Sequence, residues 1–276
     1  MHTPAPPDEP AGAARLVLLR HGESVWNRDR RFTGWADVEL TARGREEARA
    51  AGELLAAHGL RFDACFSSVL RRSGDTARIV LAALGQGELV VQERWRLNER
   101  HCGALQGLRW WQALGRYGPR RLLGYRRDHA FEPPLLREDD PRFPGHDPRY
   151  AAIPPAQLPR GESVNGARAR LLPCWEQEIA PRLRAGGCVL VVSHKNILRA
   201  LLRLLAERSG VDVGREKIAT GEPLVITLGR GLEVLDHRSL HEPLARPSGR
   251  QGPPEPVGQG EGAGQRGRFV VEPRRR

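Results

Sequence analysis

Two stretches of this sequence predict neighbouring strands of one sheet, and each ends near a histidine. The apolar run Leu16-Val17-Leu18-Leu19 is followed two residues later by His21, and Cys188-Val189-Leu190-Val191-Val192 is followed two residues later by His194. Short continuous apolar runs are typical of strands buried in a parallel sheet. The carboxyl ends of such strands meet at the edge where ligands bind. We therefore expect the two imidazoles to share one site, although they lie far apart in the chain.

Helical periodicity alternates with apolar runs between these two stretches and beyond them. Further strands are predicted at residues 64–66, 88–91 and 224–228, the last being the final core strand. Helices are predicted to begin after Thr41, after Ser67 or Ser68, after Ser163 and near Ile197. The alternation predicts an α/β fold with a mostly parallel sheet and helices on both faces.

The ends of the chain and one internal segment differ in composition from the rest. Residues 1–14 and 240–276 are rich in proline or in Pro, Gly, Gln and Arg, which predicts disordered extensions around a catalytic domain at 15–239. Within that domain, prolines recur from residue 133 to residue 159. We expect 109–159 to be a long lid insertion with little regular structure.

The chain is strongly basic, with a formal net charge of +11. Lys195 and Lys217 are its only lysines, so arginine carries almost all of the positive charge. A basic balance suits an anionic ligand, although a solvated charged surface also explains it. Charge alone therefore does not separate a phosphate ester from a nucleic acid as the partner.

The cysteines indicate a reducing compartment and no zinc site, because Cys65, Cys102, Cys174 and Cys188 lie far apart without a Cys-x-x-Cys pair. Residues 1–14 show no basic-then-apolar leader. No run of about eighteen apolar residues predicts a membrane span. We therefore expect a cytoplasmic protein without a metal or a membrane contact.

His21 and His194 are the predicted reacting groups. A neutral imidazole is nucleophilic near neutral pH, so one histidine can accept a phosphoryl group while the second, if protonated, stabilises the transferring oxygens. Gly22 after His21 would let the backbone approach a ligand closely. A single histidine after a strand is more often structural, but the equivalent placement of two favours a shared catalytic role.

Arginines accompany these histidines in the sequence. Arg20 adjoins His21, and Arg71 and Arg72 occupy the predicted first turn of a helix. Cations there oppose the helix dipole at a cost of about 0.3 to 1 kcal/mol, which a bound anion would offset. Guanidinium groups suit phosphate oxygens. An exposed basic pair in an arginine-rich protein is an equally good interpretation.

Glu99 is the best candidate for proton transfer, because a hydroxyl that accepts a phosphoryl group must lose its proton. An ion pair with Arg100 is an equally good interpretation of the same pattern. Arg126 and Arg127 either close over an anionic substrate or solvate the insertion. The sequence has no carboxylate pair at metal-ligand spacing and no Walker-type glycine loop, which disfavours a metal-dependent NTPase.

Several segments resemble one known family. Leu19-Arg20-His21-Gly22-Glu23-Ser24-Val25-Trp26-Asn27 resembles the signature of the histidine phosphatase superfamily. Four further segments resemble its 2,3-bisphosphoglycerate-dependent phosphoglycerate mutase branch: Phe32-Thr33-Gly34-Trp35, Leu97-Asn98-Glu99-Arg100-His101, Gly103-Ala104-Leu105-Gln106-Gly107 and Pro144-Gly145-His146-Asp147-Pro148-Arg149-Tyr150. The similarity extends from about residue 16 to about residue 236.

The resemblance implies a role for each candidate residue. His21 would become a phosphohistidine primed by 2,3-bisphosphoglycerate as cofactor, Glu99 would donate and accept the proton, and His194 would stabilise the transition state. The implied reaction interconverts 2- and 3-phosphoglycerate in glycolysis and gluconeogenesis. The transferring phosphate would be held by Arg20, Asn27 and Arg72, and the rest of the substrate by Thr33, Gly34, Arg100, Arg126, Arg127 and Asn196.

Three positions depart from what family members with this reaction usually show. This chain has Cys102 for a Tyr, Trp110 for a Lys, and Lys195 for a Gly. The first two remove a hydroxyl and an ammonium that would hold substrate, and each charge-assisted hydrogen bond is worth about 1.5 to 3 kcal/mol. Lys195 would grip a phosphate or lower the pKa of His194.

Three functions therefore stay open: a phosphoglycerate mutase, a phosphatase acting on a phosphate monoester, and a catalytically idle scaffold or nucleic-acid binder. The sequence lacks repeated aromatic stacking residues and a known nucleic-acid motif, so nucleic acid is the least favoured partner. A small phosphorylated molecule is the expected partner, and the formation of a homo-oligomer stays open.

Overall fold

The two apolar runs form adjacent central strands of one sheet. The computed structural model describes residues 13–213 and 216–240. Its strands are β1 Ala14–Arg20, β2 Ala64–Ser67, β3 Val91–Glu93, β4 Cys188–Ser193, β5 Pro223–Leu228 and β6 Val234–Ser239. Their order is β3-β2-β4-β1-β5-β6, with the first four parallel, β5 antiparallel to β1, and β6 antiparallel to β5. The predicted mostly parallel α/β sheet is confirmed.

Helices cover both faces of this sheet. Its helices are α1 Val25–Arg28, α2 Ala42–Ala57, α3 Arg71–Ala83, α4 Trp110–Arg127, α5 Val164–Cys174, α6 Ala180–Arg184 and α7 Lys195–Ser209, and a π-helical segment, Trp175–Ile179, joins α5 to α6. Successive side chains of a strand point to opposite faces. Leu16 and Leu18 of β1 therefore pack with α5, α6 and α7, whereas Val17 and Leu19 pack with α2 and α3. This double burial explains the continuous apolar run in β1.

The pairing of β1 with β4 brings the two histidines together. Arg20 lies opposite Ser193 at the ends of these strands, and the next backbone N–H, that of His21, donates to Ser193 O at 3.0 Å. His194 follows Ser193 directly and precedes α7. Both imidazoles consequently leave the sheet at its carboxyl edge, as predicted.

Two of the three predicted helix caps are correct. Thr41 Oγ1 accepts from Gly44 N, and Ser163 Oγ accepts from Gly166 N, both at 3.0 Å. The predicted start of the next helix at Ser67 or Ser68 is wrong, because α3 begins at Arg71 after Leu70, which gives no side-chain cap. The Ser68 hydroxyl bonds His194 instead.

The predicted lack of regular structure is wrong for the first part of the 109–159 insertion. This part forms α4, an 18-residue helix whose Ala113, Leu122 and Tyr125 are buried. Gly118, at φ +76°, and Pro119 interrupt the helix, and the same pair obscures its periodicity in the sequence. The later part contains only short 3₁₀ turns, Pro144–His146, Pro148–Tyr150 and Pro155–Gln157.

Several predicted boundaries also differ from the structure. The third strand lies at Val91–Glu93 rather than at 88–91, and β6 adds an edge strand after the predicted last core strand. β6 is mostly exposed, so its sequence, VLDHRS, lacks an apolar run. Ala14 already belongs to β1, and Leu240 is buried, although both fall within predicted disordered extensions. Most of those extensions, 1–12 and 241–276, lie outside the described residues.

Across 13–213 and 216–240, no helix has the length and apolar character needed to cross a membrane.

Candidate active site

One cavity of about 390 Å³ at the carboxyl edge of the sheet collects most of the predicted site residues. Of the predicted residues, its lining contains Arg20, His21, Asn27, Thr33, Gly34, Arg72, Glu99, Arg100 and Asn196. It also contains Arg31, Phe32, Cys102, Tyr125 and Lys195. Residues from β1, α1, α3, α4, α7 and three loops thus meet at one place.

One ring nitrogen of His21, Nε2, carries no hydrogen. Its Nδ1 lies 2.7 Å from Gly22 O, a carbonyl that can only accept, so Nδ1 carries the hydrogen. Arg72 Nε donates to His21 Nε2 at 3.3 Å, which requires an unprotonated Nε2. Burial first, and then Arg72 and Arg20, hold the pKa of His21 well below its usual value. His21 is therefore a neutral imidazole whose unprotonated Nε2 accepts a hydrogen bond from Arg72.

His194 lies against His21, with 4.9 Å between the ring centroids. Its Nε2 pairs with Ser68 Oγ at 2.8 Å, whereas its buried Nδ1 has no hydrogen-bond partner in the described part of the chain. Burial, followed by Arg72 and His21, lowers its pKa well below the usual value. His194 is thus neutral without a ligand, and a phosphate dianion beside it would favour the protonated form. The two imidazoles therefore lie side by side, as expected, although His194 is behind His21 in the sense that it does not itself line the cavity.

Arg72 is part of the site and not an exposed basic residue. It is 1% exposed, and its guanidinium donates to Ala36 O and Gly34 O, both at 2.9 Å. Burial lowers its pKa to about 10, so it stays charged at neutral pH. Arg71, by contrast, is exposed and pairs with Glu39 at 3.0 Å. Arg72 is therefore placed to bind an anion, whereas Arg71 is an exposed basic residue.

Glu99 is held by its backbone, and its carboxylate faces the cavity. Its carbonyl accepts from Trp35 Nε1 at 2.5 Å and from Arg170 Nη2 at 3.2 Å. Arg170 is itself held by Glu162 at 2.6 and 2.9 Å, and both side chains of this ion pair are 6% exposed. A buried pair with these contacts fixes the segment that carries Glu99.

The alternative ion pair between Glu99 and Arg100 does not form. Glu99 Oε1 accepts from the backbone N–H of Arg100 at 2.8 Å. The Arg100 guanidinium instead donates to Tyr125 O at 3.2 Å and lies 3.7 Å from the Tyr125 ring centroid. Glu99 therefore keeps a carboxylate oxygen for another partner.

Arg126 and Arg127 do not line the cavity, in contrast to the sequence-based prediction. Both lie in the last turn of α4 and are exposed. The Arg126 guanidinium lies 5.1 Å from the ring centroid of Trp110, which stacks on Phe32. Trp110 therefore holds Arg126 at the rim by a cation–π contact.

Gly22 serves a different purpose from the one predicted. A Cβ at Gly22 would lie 2.1 Å from Gly44 O, and a Cβ at Gly44 would lie 2.1 Å from Glu23 O. The missing side chains thus let the start of α2 approach the loop after His21. Gly22 accommodates the protein's own backbone rather than a ligand.

Sequence reasoning missed Ser68, Tyr125 and the Arg170–Glu162 pair. Ser68 follows the end of β2, beside β4, so the rule that identified the two histidines would also have found it. Tyr125 was hidden by the interruption at Gly118. Arg170 donates to backbone carbonyls and Glu162 accepts from the backbone N–H of His101, and backbone partners carry no sequence signal.

The cavity is built to hold an anion. Arg20, Arg31, Arg72, Arg100 and Lys195 face it with Glu99 as the single carboxylate, a formal surplus of four positive charges. Arg20 Nε and Arg100 Nε are buried and have no hydrogen-bond partner among the described residues. Phosphate oxygens would satisfy both donors. A neutral nucleophile, a carboxylate and these cations together provide what phosphoryl transfer requires.

Stability should fall on mild acidification, because three buried histidines resist protonation. The pKa values of His21 and His194 lie well below 6.5, and burial lowers that of His101 to about 4. Below pH 6.5 the unfolded chain binds protons that the folded chain excludes, so stability is lost as pH falls. Between pH 7.5 and 5.5 we expect urea unfolding to report a loss of at most about 4 kcal/mol.

The His101→Asn variant is the control for this pH dependence. It should lose about a third of the effect, because one of three equivalent linkage contributions is removed. A free energy of unfolding that stays constant over this range would contradict neutral, buried histidines.

Comparisons with known proteins identify the family of this chain. The model of the histidine phosphatase superfamily (branch 1) matches residues 16–138 and 134–238. The chain is 45% identical over 218 residues to 2,3-bisphosphoglycerate-dependent phosphoglycerate mutase 1 of Nitrosomonas europaea, which covers 79% of this chain and 93% of that protein.

Two solved structures extend the comparison. The mycobacterial glucosyl-3-phosphoglycerate phosphatase superimposes with a TM-score of 0.58 at 27% identity, covering 77% of this chain and 92% of that one. The phosphoglycerate mutase of Bacillus anthracis, at 23% identity, shares the fold, with a TM-score of 0.57 over 80% of this chain and 90% of that one. The resemblance seen in the sequence is confirmed, and the chain belongs to the histidine phosphatase superfamily.

Proposed function

We propose that this enzyme is a phosphoglycerate mutase that interconverts 2- and 3-phosphoglycerate through a phosphohistidine at His21. One observation carries the proposal: a neutral His21, whose unprotonated Nε2 accepts from Arg72, lines a cation-rich cavity that Glu99 also lines. The 45% identity to a mutase over most of both chains supports the same activity. Action in glycolysis and gluconeogenesis in the cytoplasm belongs to this proposal.

The cavity residues fit 2,3-bisphosphoglycerate, the cofactor implied by the resemblance. Five cationic side chains against one carboxylate match a ligand with three anionic groups. Arg20, Arg72 and Asn27 would hold the phosphate nearest His21, and Arg100, Thr33, Gly34 and Asn196 would hold the remainder. When bound, this cofactor supplies the phosphoryl group that primes His21.

Each residue of the site then has its own role in phosphoryl transfer. His21 Nε2 forms its bond to phosphorus while the bond from phosphorus to the ester oxygen breaks, and that oxygen takes a proton from Glu99, which must be in its protonated, carboxylic acid form for this step. In the reverse direction Glu99 takes the proton from the acceptor hydroxyl as phosphorus leaves His21. Arg72, Arg20 and His194 stabilise the charge on the equatorial oxygens throughout.

A phosphatase is the second candidate, because this chain has Cys102 and Trp110 at two positions where family members with mutase activity usually have Tyr and Lys. Cys102 is 2% exposed, and burial raises the pKa of its thiol to about 12, so it offers no charge to a substrate. Trp110 adds an aromatic ring at the rim. The structurally similar mycobacterial protein is a phosphatase for a larger glucosylated ester. A catalytically idle scaffold or nucleic-acid binder is disfavoured by the satisfied tautomer of His21 and the buried charge of Arg72.

The proposal predicts isomerisation that depends on the cofactor. Purified protein should convert 3-phosphoglycerate to 2-phosphoglycerate, and added 2,3-bisphosphoglycerate should raise the rate, because His21 must be phosphorylated before it can give up a phosphate. Exchange between the isomers is read by NMR, and inorganic phosphate is measured in the same samples.

The ratio of the two products separates the candidates. Phosphate release faster than isomer exchange at every cofactor concentration would favour the phosphatase and reject the mutase. The Lys217→Met variant, altered at an exposed lysine that does not line the cavity, is the matched control and should behave like the unmodified protein.

A further inference from the structure

Lys195 is the one lysine that lines the cavity, and the roles proposed above leave it unused. It is the first residue of α7, directly after His194, and its neighbour Asn196 also lines the cavity. Its side chain is exposed to solvent. Across the described ranges, Lys195 forms no ion pair.

The surroundings of Lys195 are positively charged. Partial burial first, and then Arg199, Arg20 and Arg126, lower the pKa of its ammonium, and Glu99 is the only carboxylate that opposes them. Glu99 also faces Arg20 and Arg72. Arg20 also has Glu47 as a negative neighbour and Arg72 has Asp37, whereas Lys195 has Glu99 alone and forms no ion pair with it.

Two buried arginines line the cavity in different surroundings. Arg72 donates to His21 Nε2 at 3.3 Å. Arg100 donates to Tyr125 O and keeps a buried Nε without a partner among the described residues. A ligand that places one phosphate at His21 and a second anionic group elsewhere in the cavity would supply the missing counter-charge.

We propose that Lys195 is a specificity-determining residue that binds the second anionic group, a phosphate or a carboxylate, of a ligand whose first phosphate lies at His21. This inference rests on the proposed function and names the residue that favours multiply charged three-carbon esters over singly charged ones. It also gives Lys195 a role in keeping a bisphosphorylated ligand in the cavity while the phosphate at His21 changes.

Three ligands with the same carbon skeleton but different anionic groups distinguish binding of a second phosphate by Lys195 from binding of a carboxylate. 2,3-Bisphosphoglycerate carries two phosphates and a carboxylate, 3-phosphoglycerate carries one of each, and glycerol 3-phosphate carries a phosphate alone. We expect the contribution of Lys195 to follow this order.

The first experiment uses the fact that the chain has only two lysines. The full-length protein is acetylated briefly with N-hydroxysuccinimidyl acetate, and modification at Lys195 and Lys217 is measured by peptide mass spectrometry. A bound anion should protect Lys195 by raising its pKa and by covering it. We expect protection by 2,3-bisphosphoglycerate, weaker protection by 3-phosphoglycerate and none by glycerol 3-phosphate, with Lys217 unaffected. The same series on the His21→Ala protein prevents turnover of the ligand.

The second experiment measures affinity by calorimetry in the His21→Ala background. Lys195→Met should weaken 2,3-bisphosphoglycerate binding roughly tenfold and glycerol 3-phosphate binding less than about twofold, at the lower end for a charged contact because the side chain is solvated. Lys195→Arg should restore most of the difference, and Lys217→Met should leave all three affinities unchanged.

The proposal fails separately from the proposed function. Phosphohistidine and isomerisation could both be observed while no ligand protects Lys195 and Lys195→Met binds all three ligands with unchanged affinity. In that case Lys195 does not bind the ligand, and the proposed mutase function is unaffected. Equal protection by all three ligands would likewise overturn the preference for a second anionic group. The labelling is read without turnover, so an inactive preparation still decides the question.

Discussion

The His21→Ala protein is expected to gain no phosphate from 2,3-bisphosphoglycerate and to lose isomerase activity by about 10⁴-fold or more, a size typical of removing a covalent nucleophile. The reason is the tautomer: Nδ1 is committed to Gly22 O, and Arg72 Nε points at Nε2, so this one atom is set to attack phosphorus. His21 is the one histidine that lines the cavity, and the Nε2 of its neighbour His194 is paired with Ser68 Oγ. Intact mass under neutral conditions measures the effect directly.

The control for this variant is His58→Ala, at an exposed histidine in the turn after α2. It should gain one phosphoryl group as the unmodified protein does. A phosphorylated His21→Ala protein would remove His21 from the mechanism and with it the central claim about this site.

The Glu99→Gln variant is expected to lower kcat by about 10²- to 10⁴-fold, the usual contribution of a positioned acid or base. Glutamine keeps the acceptor for the backbone N–H of Arg100 and removes only the proton-transfer function. Because Glu99 is the one carboxylate lining the cavity, its loss should leave 2,3-bisphosphoglycerate affinity unchanged or make it tighter. Slower turnover with equal or tighter binding is the signature of a proton-transfer group.

Glu47→Gln provides the matched control. Glu47 is the other carboxylate that raises the pKa of Arg20, but it lies on α2 and does not line the cavity. Its variant should keep nearly full activity. If both variants lose activity equally, the effect of Glu99 comes from the charge around Arg20 and not from proton transfer.

The core of the site could be predicted because it follows from backbone topology. Apolar runs identify buried parallel strands, and their carboxyl ends must meet, so His21 and His194 could be placed together from spacing alone. The structure gives 4.9 Å between the two rings. Ser68 obeys the same rule and was missed only because its hydroxyl also suits a helix cap.

The periphery could not be predicted, because its contacts depend on how irregular chain folds back. Arg126 is held over Trp110 instead of in the cavity, a contact that no local pattern encodes. Arg170 reaches the carbonyls of Asn98 and Glu99 from another helix, at 3.0 and 3.2 Å. Such contacts between side chains and distant carbonyls leave no periodicity to detect.

The close backbone contact between Gly22 and Gly44 has a consequence for how such an enzyme can change over time. The loop that carries His21 packs on main-chain atoms of α2, so this contact depends on the two glycines and not on the identity of neighbouring side chains. Much of the remaining cavity wall is made instead of side chains on α4, α7 and the loops at Thr33 and Cys102. A few side-chain substitutions in this wall can therefore change which substrate binds while His21 keeps its position. Related enzymes can in this way share the same phosphoryl-transfer reaction and differ in substrate.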